Sequence, residues 1–153
     1  MKVLENRVPP PLVALLCALA MWGLACITPR MDADIVLQGI AAGLIALVGL
    51  GICVAGVLAF RRADTTVNPL QPQTASTLVT DGVYRITRNP MYLGLALMLL
   101  GWAVWLAAPL TLAGVVVFVL FIQRFQIIPE ERAMARLFGE HFITYKSRVR
   151  RWI

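Results

Sequence analysis

Residues 91–122, MYLGLALMLLGWAVWLAAPLTLAGVVVFVLFI, contain no charged side chain. At about 1.5 Å per residue, one unbroken helix of this length overshoots a hydrocarbon core of about 30 Å, whereas two shorter helices fit. Ala107-Ala108-Pro109 divides the run. A proline there can open a second helix as its first residue; deep inside one long helix it would break a backbone hydrogen bond that lipid cannot replace. The stretch therefore reads as a tight hairpin of two membrane-crossing helices.

Outward from the hairpin, composition agrees. With 59% hydrophobic and 14% charged residues and a mean hydropathy of +0.78, the chain has too little polar surface to cover a water-soluble domain. Residues 12–27 and 35–60 supply two further spans. Met1–Val8 with residues 12–27 has the outline of a signal peptide, but the long second span and the lack of a distinct small-residue cleavage site favour a retained helix. The expected fold is an all-α membrane protein: four transmembrane helices with a tight C-terminal helical hairpin, followed by an amphipathic interfacial helix. It forms one structural domain in three parts: two N-terminal helices over 1–63, a cytoplasmic loop over 64–90, and the hairpin plus amphipathic helix over 91–153.

Charge orients the bundle. If the helices alternate in direction, the N-terminus, the 61–90 linker and the C-terminal tail share one side, and of the 14 Lys and Arg residues only Arg30 falls on the other. The positive-inside rule makes both termini cytoplasmic, with a bacterial inner membrane as the expected location. The same rule accounts for the +6 net charge without nucleic acid as a partner; membrane lipids are the expected surroundings.

The second span carries Gly39, Gly43, Gly51 and Ala55 at four-residue steps, with Leu47 interrupting the series. This strip predicts close packing on another helix, within the chain or across a homodimer. Gln38 reads as an interfacial polar residue. Cys17, Cys26 and Cys53 lie in or beside apolar spans, with no Cys-x-x-Cys pair and no nearby His, so they read as small packing residues and no metal site is expected. Residues 64–81 change to Thr, Ser, Gln and Pro; Val67, Leu70, Leu78 and Val79 predict an ordered cap folded back on the bundle.

Residues 82–94 (Gly-Val-Tyr-Arg-Ile-Thr-Arg-Asn-Pro-Met-Tyr-Leu-Gly) run a polar, Arg-bearing approach into the third span. Asn89 is a good helix N-cap and Pro90 a good first helical residue, which predicts free backbone N–H groups near Arg85 and Arg88, attractive to an anion. Past the fourth span, Pro129-Glu130-Glu131 predicts a new helix with two carboxylates at its positive end. Met134, Leu137, Phe138, Phe142 and Tyr145 form its apolar stripe, and the basic end from Lys146 to Trp152 is expected among anionic headgroups. His141, the sole histidine, reads as surface. The hairpin returns the chain to the face it left, so Arg124, Glu130 and Glu131 are expected near Arg88, Asn89 and Tyr92. Such charges are either ordinary interfacial pairs or a seat for an amphiphilic zwitterion.

The order Gly82-x-Tyr84-Arg85, Arg88-Asn89-Pro90-Met91-Tyr92-Leu93-Gly94, a hydrophobic hairpin, Pro129-Glu130-Glu131, and Phe138-Gly139 with Tyr145 resembles the isoprenylcysteine carboxyl methyltransferase and phospholipid methyltransferase family over about residues 78–152. The resemblance implies an integral membrane methyltransferase that uses S-adenosylmethionine and acts on a lipophilic small molecule or lipid at the cytoplasmic face. By motif, Tyr84, Arg88, Asn89, Pro90, Tyr92, Leu93, Gly94, Glu130 and Glu131 would line the cofactor site. Arg124 would lie near the transferred methyl group and acceptor, and Arg124 and Glu131 are the candidate catalytic residues. An ionised carboxylate acceptor held by Arg124 needs no general base; an amine or phenol needs proton removal by Glu131 or water.

Two positions depart from the family pattern. The isoprenylcysteine enzymes usually have a histidine where Asn89 stands, and Arg150 stands where a proline often follows Val. Prenylated cysteine, phosphatidylethanolamine and a small lipophilic acid, amine or thiol all remain candidate acceptors. An NADPH-dependent reductase related to the sterol reductases, and a non-catalytic membrane assembly subunit, are the alternative classes.

Overall fold

The computed structural model describes Glu5, residues 7–63 and residues 77–153. It contains α1 (Pro10–Ile27), α2 (Ile35–Arg62), α3 (Pro90–Leu106), α4 (Leu112–Ile122) and α5 (Ile128–Arg148). No strand occurs among the described residues, and three helical stretches, Pro10–Ile27, Ile35–Arg62 and Pro109–Arg148, are long and apolar enough to cross a membrane; Pro90–Leu106 is a shorter apolar helix. The all-α membrane architecture follows. The expected cap over 64–81 falls largely on residues 64–76, outside the described residues.

Local chemistry sets the helix ends. Pro10 starts α1, and the Asp34 carboxylate caps α2 by accepting the Val36 and Leu37 N–H groups, each at 2.9 Å. The hairpin turns at Ala107, which takes the left-handed conformation (φ 51°, ψ 24°) that commonly ends a helix. Pro109 opens the next 3-10 turn, and the Thr111 hydroxyl donates to the Ala108 carbonyl at 2.6 Å.

Two carbonyls at the end of α3 receive a donor from α2, Val104 O in addition to the Ala107 N–H and Trp105 O in place of one. Gln38 Nε2 donates to Val104 O at 3.1 Å and to Trp105 O at 2.6 Å. The polar residue read as interfacial thus closes the α3 terminus, where lipid offers no donor. Gln38→Leu is expected to cost about 1–3 kcal/mol by orphaning the Trp105 carbonyl, seen as a lower thermal midpoint in detergent.

α2 and α3 pack along one another; the strip expected from four-residue spacing meets α3 at Gly39, where a Cβ would lie 3.4 Å from the Trp105 ring, but not at Gly43 or Gly51. A Cβ built on Gly43 or Gly51 would meet nothing within 4 Å. The buried small residues of α2 are Ala42, Gly49 and Gly56, seven apart, opposite Gly101, Gly94 and the Pro90–Met91 pair of α3. A Cβ on Gly101 would lie 2.8 Å from Ala42 O, and one on Gly49 2.6 Å from Gly94 O. The seam is chosen by where the partner helix carries its own glycines, and a seven-residue repeat keeps such a seam facing an antiparallel neighbour. Cys53 sits in it as a small residue, its thiol donating to Met91 O at 3.1 Å. Elsewhere α2 exposes Leu37, Leu44, Leu47, Val48 and Val54, a surface suited to lipid.

Two expectations about the C-terminal helices need correction. Pro129 does not begin a separate helix: Gln123–Ile127 forms a π-helical segment that carries α4 into α5 without a break. Pro129 offers no N–H and crowds the carbonyl four residues back, and widening the helix there absorbs both defects. The amphipathic stripe is also interrupted. Gly139 takes φ 51° and ψ −125° inside α5, a conformation open to glycine because it lacks a Cβ. The kink re-aims the rest of the helix, so Phe142 is buried while Leu137 is 45% exposed.

Candidate functional site

The approach to α3 is built to be held by the chain's far end. Gly82 has positive φ and starts a 3-10 turn, Gly82–Arg85, that buries Tyr84. The Tyr84 ring meets Phe60 of α2 edge to face at 5.4 Å, and its carbonyl accepts the Tyr145 hydroxyl at 2.7 Å. Burial pushes the Tyr84 phenol well above the ordinary tyrosine range and the Tyr145 phenol up to about 12, so both stay neutral and act through packing and hydrogen bonding.

Asn89 occupies the N-cap position of α3, but its side chain makes no cap hydrogen bond. Its Nδ2 donates instead to Arg151 O at 2.9 Å, while its own N–H goes to the Thr87 hydroxyl at 3.2 Å. The Arg88 N–H donates to Arg150 O at 3.1 Å, and residues 87 and 150 pair in parallel like a fragment of sheet. The segment after α5 therefore folds back beside the motif. The expectation that the basic end lies among headgroups is narrowed at its last residues: Lys146, Arg148 and Arg150 are exposed, but Arg151 and Trp152 are half-buried, and Trp152 Nε1 donates to Gln123 Oε1 at 3.1 Å.

Three charges meet in the space so enclosed. Glu131 Oε1 pairs with Arg88 Nη2 at 3.0 Å, with side-chain exposures of 13% and 8%. Arg151 forks onto the same carboxylate, Nε to Oε1 at 3.0 Å and Nη2 to Oε2 at 2.8 Å, the planar bidentate geometry that strengthens such pairs. Among the described residues, Arg88 Nε and Nη1 are buried without a hydrogen-bond partner. Buried donors of this kind cost free energy unless something accepts from them.

Glu130, in the first turn of α5 and beyond the apolar span, accepts the Tyr92 hydroxyl. Burial is the main cause that pushes its carboxyl up to about 8; the Tyr92 hydrogen bond works against the rise and the Glu131 charge adds to it. Two adjacent carboxylates thus have different partners: Glu131 is tied to two guanidiniums, Glu130 to a phenol.

Arg88, Asn89, Tyr92, Glu130 and Glu131 come together by direct bonds or as neighbours, and Tyr84 joins through Tyr145. Pro90 and Gly94 lie on the seam with α2: a Cβ on Gly56 would lie 3.2 Å from Pro90 Cγ, and one on Gly94 3.0 Å from Cys53 N. Leu93 is half-buried in the same turn of α3. Arg124 pairs with Glu5 at 3.3 Å and lies over the Phe125 ring; Glu5 also pairs with Arg132 at 3.4 Å. Sequence reasoning missed Thr87, Gln123, Arg151 and Trp152. Thr87 and Gln123 carry no spacing signal, and Arg151 is hidden in a basic run that topology already explains.

The sequence profile of the phospholipid methyltransferase family matches residues 37–141. The chain belongs to that family. The match runs from α2 to two residues past the Gly139 kink, so it includes the α2–α3 seam, the motif and both glutamates. Curated relatives are the protein-S-isoprenylcysteine O-methyltransferase of Rattus norvegicus, 34% identical over 114 residues, which are 71% of this chain and 39% of that protein. The enzyme B of that name from Arabidopsis thaliana is 39% identical over 75 residues, 47% of this chain and 36% of that protein. An uncharacterized protein of Haemophilus influenzae is 46% identical over 63 residues, 41% of this chain and all of that protein. The chain thus matches little more than a third of either methyltransferase's length. No solved structure matches.

Proposed function

We propose that the chain is an integral membrane methyltransferase that takes its methyl group from S-adenosylmethionine and passes it to a lipophilic acceptor at the cytoplasmic face. The observation that carries this reading is the pair of unpartnered Arg88 donors beside Glu131, the carboxylate next in sequence to Glu130: a site for an anion and a site for a cation lie side by side just before the N-terminus of α3. S-adenosylmethionine fits such a donor set, since its amino-acid end is zwitterionic and its sulfonium is a second cation; when bound it supplies an activated methyl group. Arg88 Nε and Nη1 suit the carboxylate, Glu131 the ammonium and Glu130 the sulfonium region. Tyr84, Asn89, Pro90, Tyr92, Leu93 and Gly94 complete the wall, holding the charged groups in register.

Arg124 is the cation assigned to the acceptor side. An acceptor carboxylate would exchange with Glu5 on Arg124 and arrive already ionised, so its methylation needs placement more than proton transfer. An amine acceptor would instead leave its proton to Glu131 or water. Incubating the protein in lipid nanodiscs with methyl-labelled S-adenosylmethionine and fractionated lipid extract tests the reading. Label in an organic-soluble product supports it; label confined to the unreacted donor, with the donor bound, sinks the transfer step.

The raised Glu130 carboxyl predicts a pH dependence. A carboxyl held at about 8 is largely neutral at pH 7 and ionises as pH rises through that value, and a cationic ligand binds the ionised form better. Affinity for S-adenosylmethionine is therefore expected to increase between pH 7 and 9, by up to about tenfold for a 1.4 kcal/mol gain, and Glu130→Gln should flatten the rise. Equilibrium dialysis across that range checks both.

A further inference from the structure

Both oxygens of the Glu131 carboxylate are engaged by guanidinium groups, Oε1 by Arg88 and Arg151 and Oε2 by Arg151. Three of its roughly four acceptor sites are taken, so a ligand's ammonium competes with the guanidiniums for this carboxylate. The two are not equal. Arg88 is 8% exposed, sits between Thr87 and Asn89 in the motif itself, and carries two donors free for a carboxylate. Arg151 is 30% exposed and belongs to the short segment after α5, tied down through its carbonyl to Thr87 and Asn89 and through Trp152 to Gln123.

On the cofactor reading above, we propose that Arg151 is an internal stand-in for the ligand's ammonium: the amino-acid end of S-adenosylmethionine takes its place on Glu131, and the segment Val149–Trp152 is released from the motif. At the Glu131 carboxylate the exchange is cation for cation. One cation leaves the carboxylate and another arrives, while the ligand carboxylate meets the Arg88 donors. It also opens the enclosed face, because the same segment closes the space over Glu131. Arg151 is then a positioning residue that keeps the Glu131 carboxylate oriented and ionised until the ligand binds.

The exchange is read by trypsin cleavage after Arg150 and Arg151, followed by mass spectrometry of the full chain in nanodiscs. S-adenosylmethionine and S-adenosylhomocysteine, which share the ammonium and carboxylate, are expected to speed these cuts about tenfold, since cleavage of a fast-opening segment tracks its open population. 5′-Methylthioadenosine, which lacks the amino-acid end, is expected to leave them unchanged. Slower or unchanged cutting with S-adenosylmethionine demonstrably bound overturns the exchange and leaves the cofactor reading standing. No binding of S-adenosylmethionine to the unaltered chain removes the cofactor reading, and the exchange with it. Arg151→Gln supplies an independent readout: with its thermal midpoint retained, it should bind S-adenosylmethionine several-fold more tightly, because a competitor is gone. Equal or weaker binding by that folded variant also overturns the proposal. Should Arg151→Gln fail to fold, Arg151→Lys, a weaker, monodentate competitor, is expected to bind more tightly than the unaltered chain, and the trypsin result stands by itself.

Discussion

Glu131→Gln is expected to lower S-adenosylmethionine affinity by at least about 100-fold, a loss near 2.7 kcal/mol, and to reduce methyl transfer in proportion. The substitution keeps the shape of the side chain and removes its charge, so the loss reads the electrostatic role directly. Glu131 is the only carboxylate that Arg88 and Arg151 pair with among the described residues. Removing it strands the Arg88 guanidinium in a nearly buried position, at a cost of about 3 kcal/mol. Stability and binding must therefore be measured together, by thermal melting and by equilibrium dialysis at a temperature where the variant is folded. Undiminished methyl transfer by Glu131→Gln would take Glu131 out of the site.

Gly94→Ala is expected to be the most damaging single-methyl change in the chain. A Cβ at this position would run into Cys53 Sγ and Gly49 O and lie 3.0 Å from Cys53 N. Two of those three atoms are backbone, so no rotamer change relieves the clash, and α2 and α3 must separate. Overpacking of this sort costs about 3 kcal/mol or more. Separation would also shift Pro90 and Tyr92, one turn away on the same helix, and with Tyr92 the Glu130 carboxylate it holds. The variant should melt earlier in detergent and bind S-adenosylmethionine weakly even when folded. Gly43→Ala, at a position facing open space, is the matched control and should change neither property.

Those two glycines mark the limit of what the sequence discloses. The uncharged run 91–122, its division at Pro109 and the charge asymmetry define spans and turns, because lipid punishes any unsatisfied backbone or stray charge. They do not define which face of α2 meets α3, since nearly every face of that helix is apolar. The partner's glycines decide it, and only assembled helices reveal that the seam uses Gly49 and not Gly51. Pro129 misleads for a related reason. It has the signature of a helix start, yet the π segment 123–127 lets the helix pass through it.

The candidate site was legible in halves. Arg88, Tyr92, Glu130 and Glu131 stand out because charge and hydroxyl groups at the ends of apolar helices demand partners. What joins them is a return of the chain after α5 that rests on backbone groups: Arg150 O and Arg151 O accept from Arg88 and Asn89. Backbone carbonyls leave no trace in residue identity. Asn89 shows this best, since the residue that looks like a helix cap gives its amide to that returning segment.

Cofactor identity is tested most directly by calorimetric titration of the purified, nanodisc-embedded protein with S-adenosylmethionine, run beside NADPH. Saturable binding of S-adenosylmethionine, lost in Glu131→Gln and accompanied by none of NADPH, is the result predicted. Binding of NADPH in place of S-adenosylmethionine, or of neither by a protein with an intact melting transition, would contradict it.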